Sequence, residues 1–197
     1  MTAFVVLEGI DGSGKTTQAR LLAERLGAEY TREPTDGPFG RVLRDAVERR
    51  VTLDPITLAL GFAADRAEHV AWIRARMEDG RSVVSDRYVL SSLAYQPGGA
   101  VTEDWVRAIN RHALPPDLTI LVDTSPQTCA RRIAARASAR ARFDTPAELE
   151  RVRANYRRAL GADDLAGEVV AVDGEGDVEE VAAAVWAAVA ARLRVGG

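Results

Sequence analysis

Among 197 residues there is one cysteine, one lysine and two histidines, and each scarcity removes a class of function. Cys129 has no second thiol to meet, so neither an intrachain disulfide nor a cysteine metal cluster can form. His69 and His112 are too few and too far apart to argue for a metal site or a general base, and ordinary structural roles are expected for both. No apolar run reaches the length of a membrane span. The first such run, Phe4-Val5-Val6-Leu7, is too short for a signal core and has no basic stretch before it. The expectation is a cytoplasmic protein. The net charge of −3 gives no general reason to expect nucleic acid or an anionic membrane as partner. No internal repeat or linker is visible, and the length suits one domain, residues 1–197, with a real core.

What is present is concentrated near the start. Gly9-Ile10-Asp11-Gly12-Ser13-Gly14-Lys15-Thr16, followed by Thr17, fits the phosphate-binding P-loop pattern G-x-x-x-x-G-K-[ST]. An apolar run fit for a buried strand precedes it and a helical pattern, residues 18–26, follows. Strand, glycine loop and helix are what the chemistry needs. The glycines let backbone N–H groups converge on phosphate oxygens, the helix N-terminus adds partial positive charge, and Lys15 adds a full one. The Thr16 hydroxyl is placed for Mg²⁺. Lys15 is also the only lysine; the other 25 of the 26 basic residues are arginine. A slim ammonium inside the loop is a demand that a planar guanidinium fills badly. The guanine-reading N-K-x-D motif of regulatory GTPases would need a second lysine, so the pattern points to ATP, or to a nucleotide held mainly by its phosphates.

Four apolar runs end in an acid: 4–7 in Glu8, 83–85 in Asp86, 118–122 in Asp123 and 169–172 in Asp173. Continuous apolar runs imply strands covered on both faces, hence a parallel sheet, and the acids place their C-terminal ends on one polar edge, where open α/β sheets bind ligands. Glu29-Tyr30-Thr31 supplies a fifth strand. Helical patterns cover 39–48, 102–112, 126–135, 147–160 and 178–193. A long helix is capped by Asp54, with Pro55 at its first position, and runs to about residue 77 before Gly80. That helix is apolar on more than one face, so it is either deeply buried or partly in a subunit interface. The prediction is a three-layer α/β domain of the P-loop type, a five-stranded parallel sheet flanked by helices.

Three further stretches carry chemistry. In Asp86-Arg87-Tyr88, Asp86 ends a buried strand where its carboxylate can hold Mg²⁺ through water, and Arg87 lies at the mouth of the site, able to fork onto a phosphate. Phe62 and Arg66, four residues apart on one helix, share a face; an aromatic ring beside a guanidinium can stack a base and donate to its carbonyl. Residues 131–142 hold Arg131, Arg132, Arg136, Arg140 and Arg142 among small residues. Phosphoryl transfer spreads charge over the moving group, and arginines that close over it stabilise that charge. A short arginine-rich lid is read at about residues 136–146.

Together these motifs resemble the thymidylate kinases. The resemblance runs from the P-loop with its preceding strand through Thr31-Arg32-Glu33-Pro34, Phe62-Ala63-Ala64-Asp65-Arg66-Ala67-Glu68-His69, and Ser85-Asp86-Arg87-Tyr88 with Ser91-Ser92-Leu93-Ala94-Tyr95-Gln96. It continues in Pro116-Asp117-Leu118-Thr119 and Arg151-Val152-Arg153-Ala154-Asn155-Tyr156, and so covers nearly the whole chain. It implies transfer of the ATP γ-phosphoryl group to dTMP with Mg²⁺, in the supply of dTTP, by a homodimer. It implies that residues 9–17 hold ATP, with Arg132 against adenine, and that Thr16 and Asp86 serve the metal. Phe62 would stack on thymine, Arg66 donate to its O4, Ser92 lie near the N3 edge and Tyr95 crowd the position of a ribose 2′-OH. Glu33 and Gln96 join the substrate set. Asp11 would meet the 3′-OH, Arg87 and Arg44 the acceptor phosphate, and Lys15 would bridge the transferring group.

Two departures stand out. Thr35-Asp36-Gly37 replaces the Gly-Gly-Thr of many members in the acceptor-phosphate loop. Ala141-Arg142-Phe143-Asp144 replaces the usual Asp-Arg-aromatic-Glu, and the spacing leaves Arg136, Arg140 and Arg142 as alternatives for the catalytic lid arginine; Arg136 is the best match and Arg140 the next. The rival readings are a P-loop kinase for another deoxynucleotide or a nucleoside, and an ATP-binding module without turnover.

Overall fold

The computed structural model describes residues 2–135 and 145–193. In chain order the elements are β1 (Phe4–Glu8), α1 (Lys15–Leu26), β2 (Glu29–Arg32), α2 (Pro38–Val47), α3 (Pro55–Glu78), β3 (Val83–Asp86) and α4 (Val89–Tyr95). There follow α5 (Glu103–Ile109), β4 (Leu118–Asp123), α6 (Pro126–Ala135), α7 (Pro146–Arg158), β5 (Gly161–Asp163), β6 (Gly167–Asp173) and α8 (Val178–Arg192). The strands form one sheet in the order β2-β3-β1-β4-β6-β5. The five expected strands are all parallel; the short β5 adds an antiparallel edge beside β6.

The apolar runs behave as a doubly covered sheet demands. In β1, Phe4 and Val6 face one core with Ile73 of α3, Leu93 of α4, Val106 of α5 and Val152 of α7. Val5 and Leu7 face the other, with Leu22 of α1 and Val181, Val185 and Val189 of α8. The chain leaves β1 to build β2 and β3 on one side, then crosses to β4 and β6 on the other. Its switch point therefore lies at the C-terminal ends of β1, β3 and β4, where such sheets open a crevice. The register sets Leu7 beside Asp86 and Asp123 beside Asp173, so the acids do collect at one edge.

Capping accounts for the helix starts. Asp54 accepts the N–H of Ile56, with Pro55 following, and Thr145 and Asp177 open α7 and α8 with reciprocal capping boxes. The α5 helix stops at Ile109, shorter than its pattern; Asn110 caps it and accepts from the buried Arg66 through its side chain. Along α3, Ala59, Asp65, Arg66, His69, Val70 and Ile73 are buried while Ile56 and Leu60 lie at the surface. The helix thus has one inward face and an exposed apolar strip at its start.

Candidate active site

The loop between β1 and α1 takes the form that phosphate binding requires. Gly12 and Gly14 have φ of 86° and 97°, a region that costs little only for glycine. A Cβ on Gly12 would stand 2.7 Å from the Cys129 carbonyl oxygen, so α6 forms the floor of the loop. Cys129 itself is buried, and burial pushes its thiol up to about 11, which leaves it inert. Arg132, one turn further along α6, donates to Ser13 O at 3.2 Å, Gly174 O at 2.8 Å and Gly176 O at 2.8 Å. It thereby ties the phosphate loop to the loop after β6. Glu175 in that loop accepts from Ser125 N and Thr128 Oγ1.

Lys15 is buried, and its Nζ reaches Asp11 Oδ1 at 3.2 Å; Arg87 Nη2 donates to the same oxygen. Desolvation opposes the Asp11 charge, but the Arg87 and Lys15 cations outweigh it and hold the carboxyl well below its usual range. One carboxylate thus gathers the two cations assigned to phosphates. Thr16 Oγ1 donates to Asp86 Oδ2 at 2.5 Å, whereas Asp86 Oδ1 is buried with no partner among the described residues. Arg87 has a φ of 72°, a left-handed conformation rare for a bulky residue and characteristic of functional positions.

The second half of the site is organised by α3. Arg66 is buried and donates through Nε and Nη2 to Glu33 Oε2 at 3.0 and 2.6 Å, through Nη2 to Ser92 Oγ at 3.1 Å, and through Nη1 to Asn110 Oδ1. His69, one turn on, bridges Glu33 Oε1 (3.0 Å) and Thr31 Oγ1 (2.8 Å). Burial works against the Glu33 charge, yet Arg66 and His69 outweigh it and keep the carboxyl below its ordinary value. Asp65 accepts both Thr35 N (2.8 Å) and Thr35 Oγ1 (2.6 Å), which fixes the loop that departs from the usual pattern. In that loop Asp36 Oδ1 holds Arg44 Nη2 at 2.7 Å and Arg32 Nη2 at 2.9 Å; Arg44 Nη2 also donates to Thr35 O at 2.8 Å. Phe62 stands half-buried on α3, one turn before Arg66. Gln96 Nε2 donates to Ser92 Oγ at 3.1 Å. The Arg87 guanidinium lies 5.2 Å from the centre of the Tyr95 ring.

A sequence model of thymidylate kinases matches residues 7–185. A probable thymidylate kinase of Pyrococcus abyssi is 44% identical over 190 residues, covering 90% of this chain and 91% of the relative. One of Thermococcus gammatolerans is 42% identical over 196 residues, 92% of each chain. One of Methanocaldococcus jannaschii is 45% identical over 130 residues, 66% of this chain and 69% of the relative. The chain belongs to the thymidylate kinase family.

As a member of that family it is a kinase, and the expected residues fall into two connected groups. Asp11, Lys15, Thr16, Asp86 and Arg87 surround the phosphate loop; Glu33, Arg66, Ser92 and Gln96 form one hydrogen-bonded cluster, with Arg44 pinned to the loop beside it. Arg136 and Arg140 lie outside the described residues. Several residues bonded to these two groups or to their partners carry no assignment from sequence: Asn110, Asp65, Glu8 and Tyr156, together with His69 as a partner of Glu33. Glu8, Asp65, His69 and Tyr156 fall within stretches that carry the family resemblance, which gives none of them a role; Asn110 falls in none of those stretches. From sequence Glu8 is an edge acid like the other three, but the structure buries it completely.

Proposed function

We propose that this kinase transfers the γ-phosphoryl group of ATP to dTMP, giving ADP and dTDP, with Mg²⁺. The observation that supports the acceptor is the pair of unused hydrogen-bonding groups around Ser92, on Arg66 and on Gln96. A guanidinium has five N–H donors, and the four bonds of Arg66 above use four of them, leaving one on Nη1. Gln96 Oε1 is buried with no partner among the described residues. A base with a carbonyl next to a ring N–H satisfies both, which describes thymine O4 and N3. Ser92 Oγ already accepts from Arg66 and Gln96, so in this reading Gln96 rather than Ser92 receives N3–H. Cytosine would present an amino group to Arg66 and leave buried polar groups unpaired, the kind of mismatch that discriminates strongly.

At the phosphate end, Arg87 and Arg44 receive the acceptor phosphate, an anion at neutral pH that needs no base. One of its oxygens attacks the γ-phosphorus while the bond to the bridging oxygen breaks and ADP leaves with that electron pair. Loop N–H groups and Lys15 hold the phosphates, and Arg132 lies against adenine. Asp11 turns to the sugar 3′-OH once phosphates take its two cations. The unpartnered Asp86 Oδ1 and the Thr16 hydroxyl are the hard oxygen donors that fit Mg²⁺, which when bound supplies charge neutralisation between the phosphates. Arg136, with Arg140 as the alternative, is assigned to the moving group.

No helix among the described residues is long and apolar enough to cross a membrane, and a cytoplasmic location fits the reaction. Phe39 and Val42 of α2, 47% and 51% exposed, and Ile56 and Leu60 of α3 leave apolar surface on two helices that pack together. These apolar residues support a homodimer, which sedimentation velocity tests.

The deciding experiment is ADP release from Mg·ATP with dTMP, dUMP, dCMP, AMP and thymidine at equal concentration. A clear preference for dTMP is expected. Turnover only with thymidine or another monophosphate would remove the base assignment, and nucleotide binding without any turnover would remove the activity.

A further inference from the structure

Four donors converge on the carboxylate of Glu8 at the end of β1. Oε1 accepts the backbone N–H groups of Tyr88 and Ser91, each at 2.9 Å; Oε2 accepts Ser91 Oγ at 2.6 Å and Tyr156 OH at 3.0 Å. Glu8 and Tyr156 are both fully buried. Among the described residues no cation forms a salt bridge with Glu8, and burial raises its carboxyl above the ordinary value. A carboxylate kept in such a place without a contacting counter-ion is costly, so its geometry asks for a reason beyond filling space.

The reason lies on the far side of the two hydroxyls. An ionised carboxylate only accepts, so the hydrogens of Ser91 and Tyr156 turn toward it, both directly or one of them through the other hydroxyl 2.9 Å away, and lone pairs are left facing outward. Arg87 Nη1 donates to both oxygens, at 3.0 Å to Ser91 and 3.3 Å to Tyr156. The Arg87 backbone is pinned as well: its N–H donates to Leu7 O at 2.9 Å and its carbonyl accepts Ser85 Oγ at 2.7 Å. One edge of the guanidinium is therefore held by residues of α4 and α7, both of which meet Glu8 of β1, while Nη2 donates to Asp11.

We propose that Glu8 is a positioning residue for phosphoryl transfer, fixing the direction of the Arg87 guanidinium through the hydroxyls of Ser91 and Tyr156. This rests on the reading of Arg87 as a ligand of the acceptor phosphate. In Glu8→Gln, an amide NH₂ in place of Oε2 donates to the hydroxyls, whose own hydrogens then turn away from it, toward the other hydroxyl 2.9 Å off or toward Arg87, and the outward lone pairs are no longer fixed. In Tyr156→Phe, one of the two acceptors is removed with a single oxygen.

A kinetic cycle distinguishes this role from a structural one. Glu8→Gln and Tyr156→Phe are each made alone and with Arg87→Ala, and kcat/KM for dTMP, KM for ATP and the thermal midpoint are measured, with calorimetric dTMP binding wherever turnover is too slow. Outer partners of a functional group typically cost about 10–100-fold when altered. We expect a loss of that size in kcat/KM for dTMP, with the KM for ATP unchanged. In the Arg87→Ala background the same substitutions should cost almost nothing more, since residues acting through one group are not additive. Equal losses in both backgrounds, or a parallel rise in the KM for ATP, would overturn the relay while leaving Arg87 in place. Unchanged dTMP kinetics in Arg87→Ala itself would overturn both readings. Should Glu8→Gln not fold, the Tyr156→Phe cycle decides by the same criterion.

Discussion

Glu33 and Arg66, 33 residues apart in the chain, meet in the interior with Oε2 and Nη2 separated by 2.6 Å and side chains 3% and 2% exposed. Removing one partner of such a buried pair costs about 3–5 kcal/mol. Glu33→Gln should therefore lower the urea midpoint at pH 7. The Glu33 carboxyl is depressed in the fold, so its stabilisation is complete at neutral pH and is lost as acid carries the protein below about pH 4.3, the ordinary glutamate value, and on through the lower folded one. The substituted protein should show a flatter loss over that acid range. Parallel acid curves for the two proteins would contradict the role given to Glu33.

Asp36 competes for the cation assigned to the acceptor. Its carboxylate holds Arg44, while the Thr35 carbonyl keeps that arginine in place independently. An exposed ion pair is worth about 0.2–1 kcal/mol, so Asp36→Asn should tighten dTMP binding by at most about fivefold, and less in high salt. Calorimetry at two salt concentrations reads this. A weaker complex would mean that Asp36 holds the loop rather than competing with the substrate.

Phe62 offers a ring one turn from Arg66. Stacking of a base on an aromatic side chain is worth about 1–3 kcal/mol by alanine substitution, so Phe62→Ala should raise the KM for dTMP about 5–150-fold and leave the KM for ATP alone. A similar rise for both substrates would remove the stacking assignment.

Arg136 is assigned to charge that exists only during transfer. Arginines in that role are worth about 10³–10⁵ in rate. Arg136→Ala should lower kcat by that order and change dTMP affinity little. If Arg140→Ala has the large effect and Arg136→Ala does not, the assignment passes to Arg140.

The frame of the molecule was legible because its signals are local. Runs such as 118–122 are apolar on both faces, and the phosphate loop is contiguous. What stayed hidden depends on contacts across the chain. β5 has three residues and no apolar run to mark it. Seven-residue α4 lies within the stretch that was read for its chemistry. Glu8 looks from sequence like Asp86, Asp123 and Asp173, one acid after one strand; only the packing of α4 and α7 over β1 turns it inward to Tyr156, 148 residues away. Asn110 ends a helix in the ordinary manner of a polar residue, and nothing local announces that its side chain meets Arg66.

The lone lysine has a practical use. Lys15 is 7% exposed at its side chain and opens α1 at the end of the glycine loop, while the other 25 of the 26 lysine and arginine residues are arginine. Apart from a chain terminus, an amine-directed reagent has a single target on this protein. Protection of Lys15 from such a reagent when nucleotide is added, read at the peptide that carries it, is then the expected sign of its proposed place beside the phosphates, without a tag and without an engineered probe.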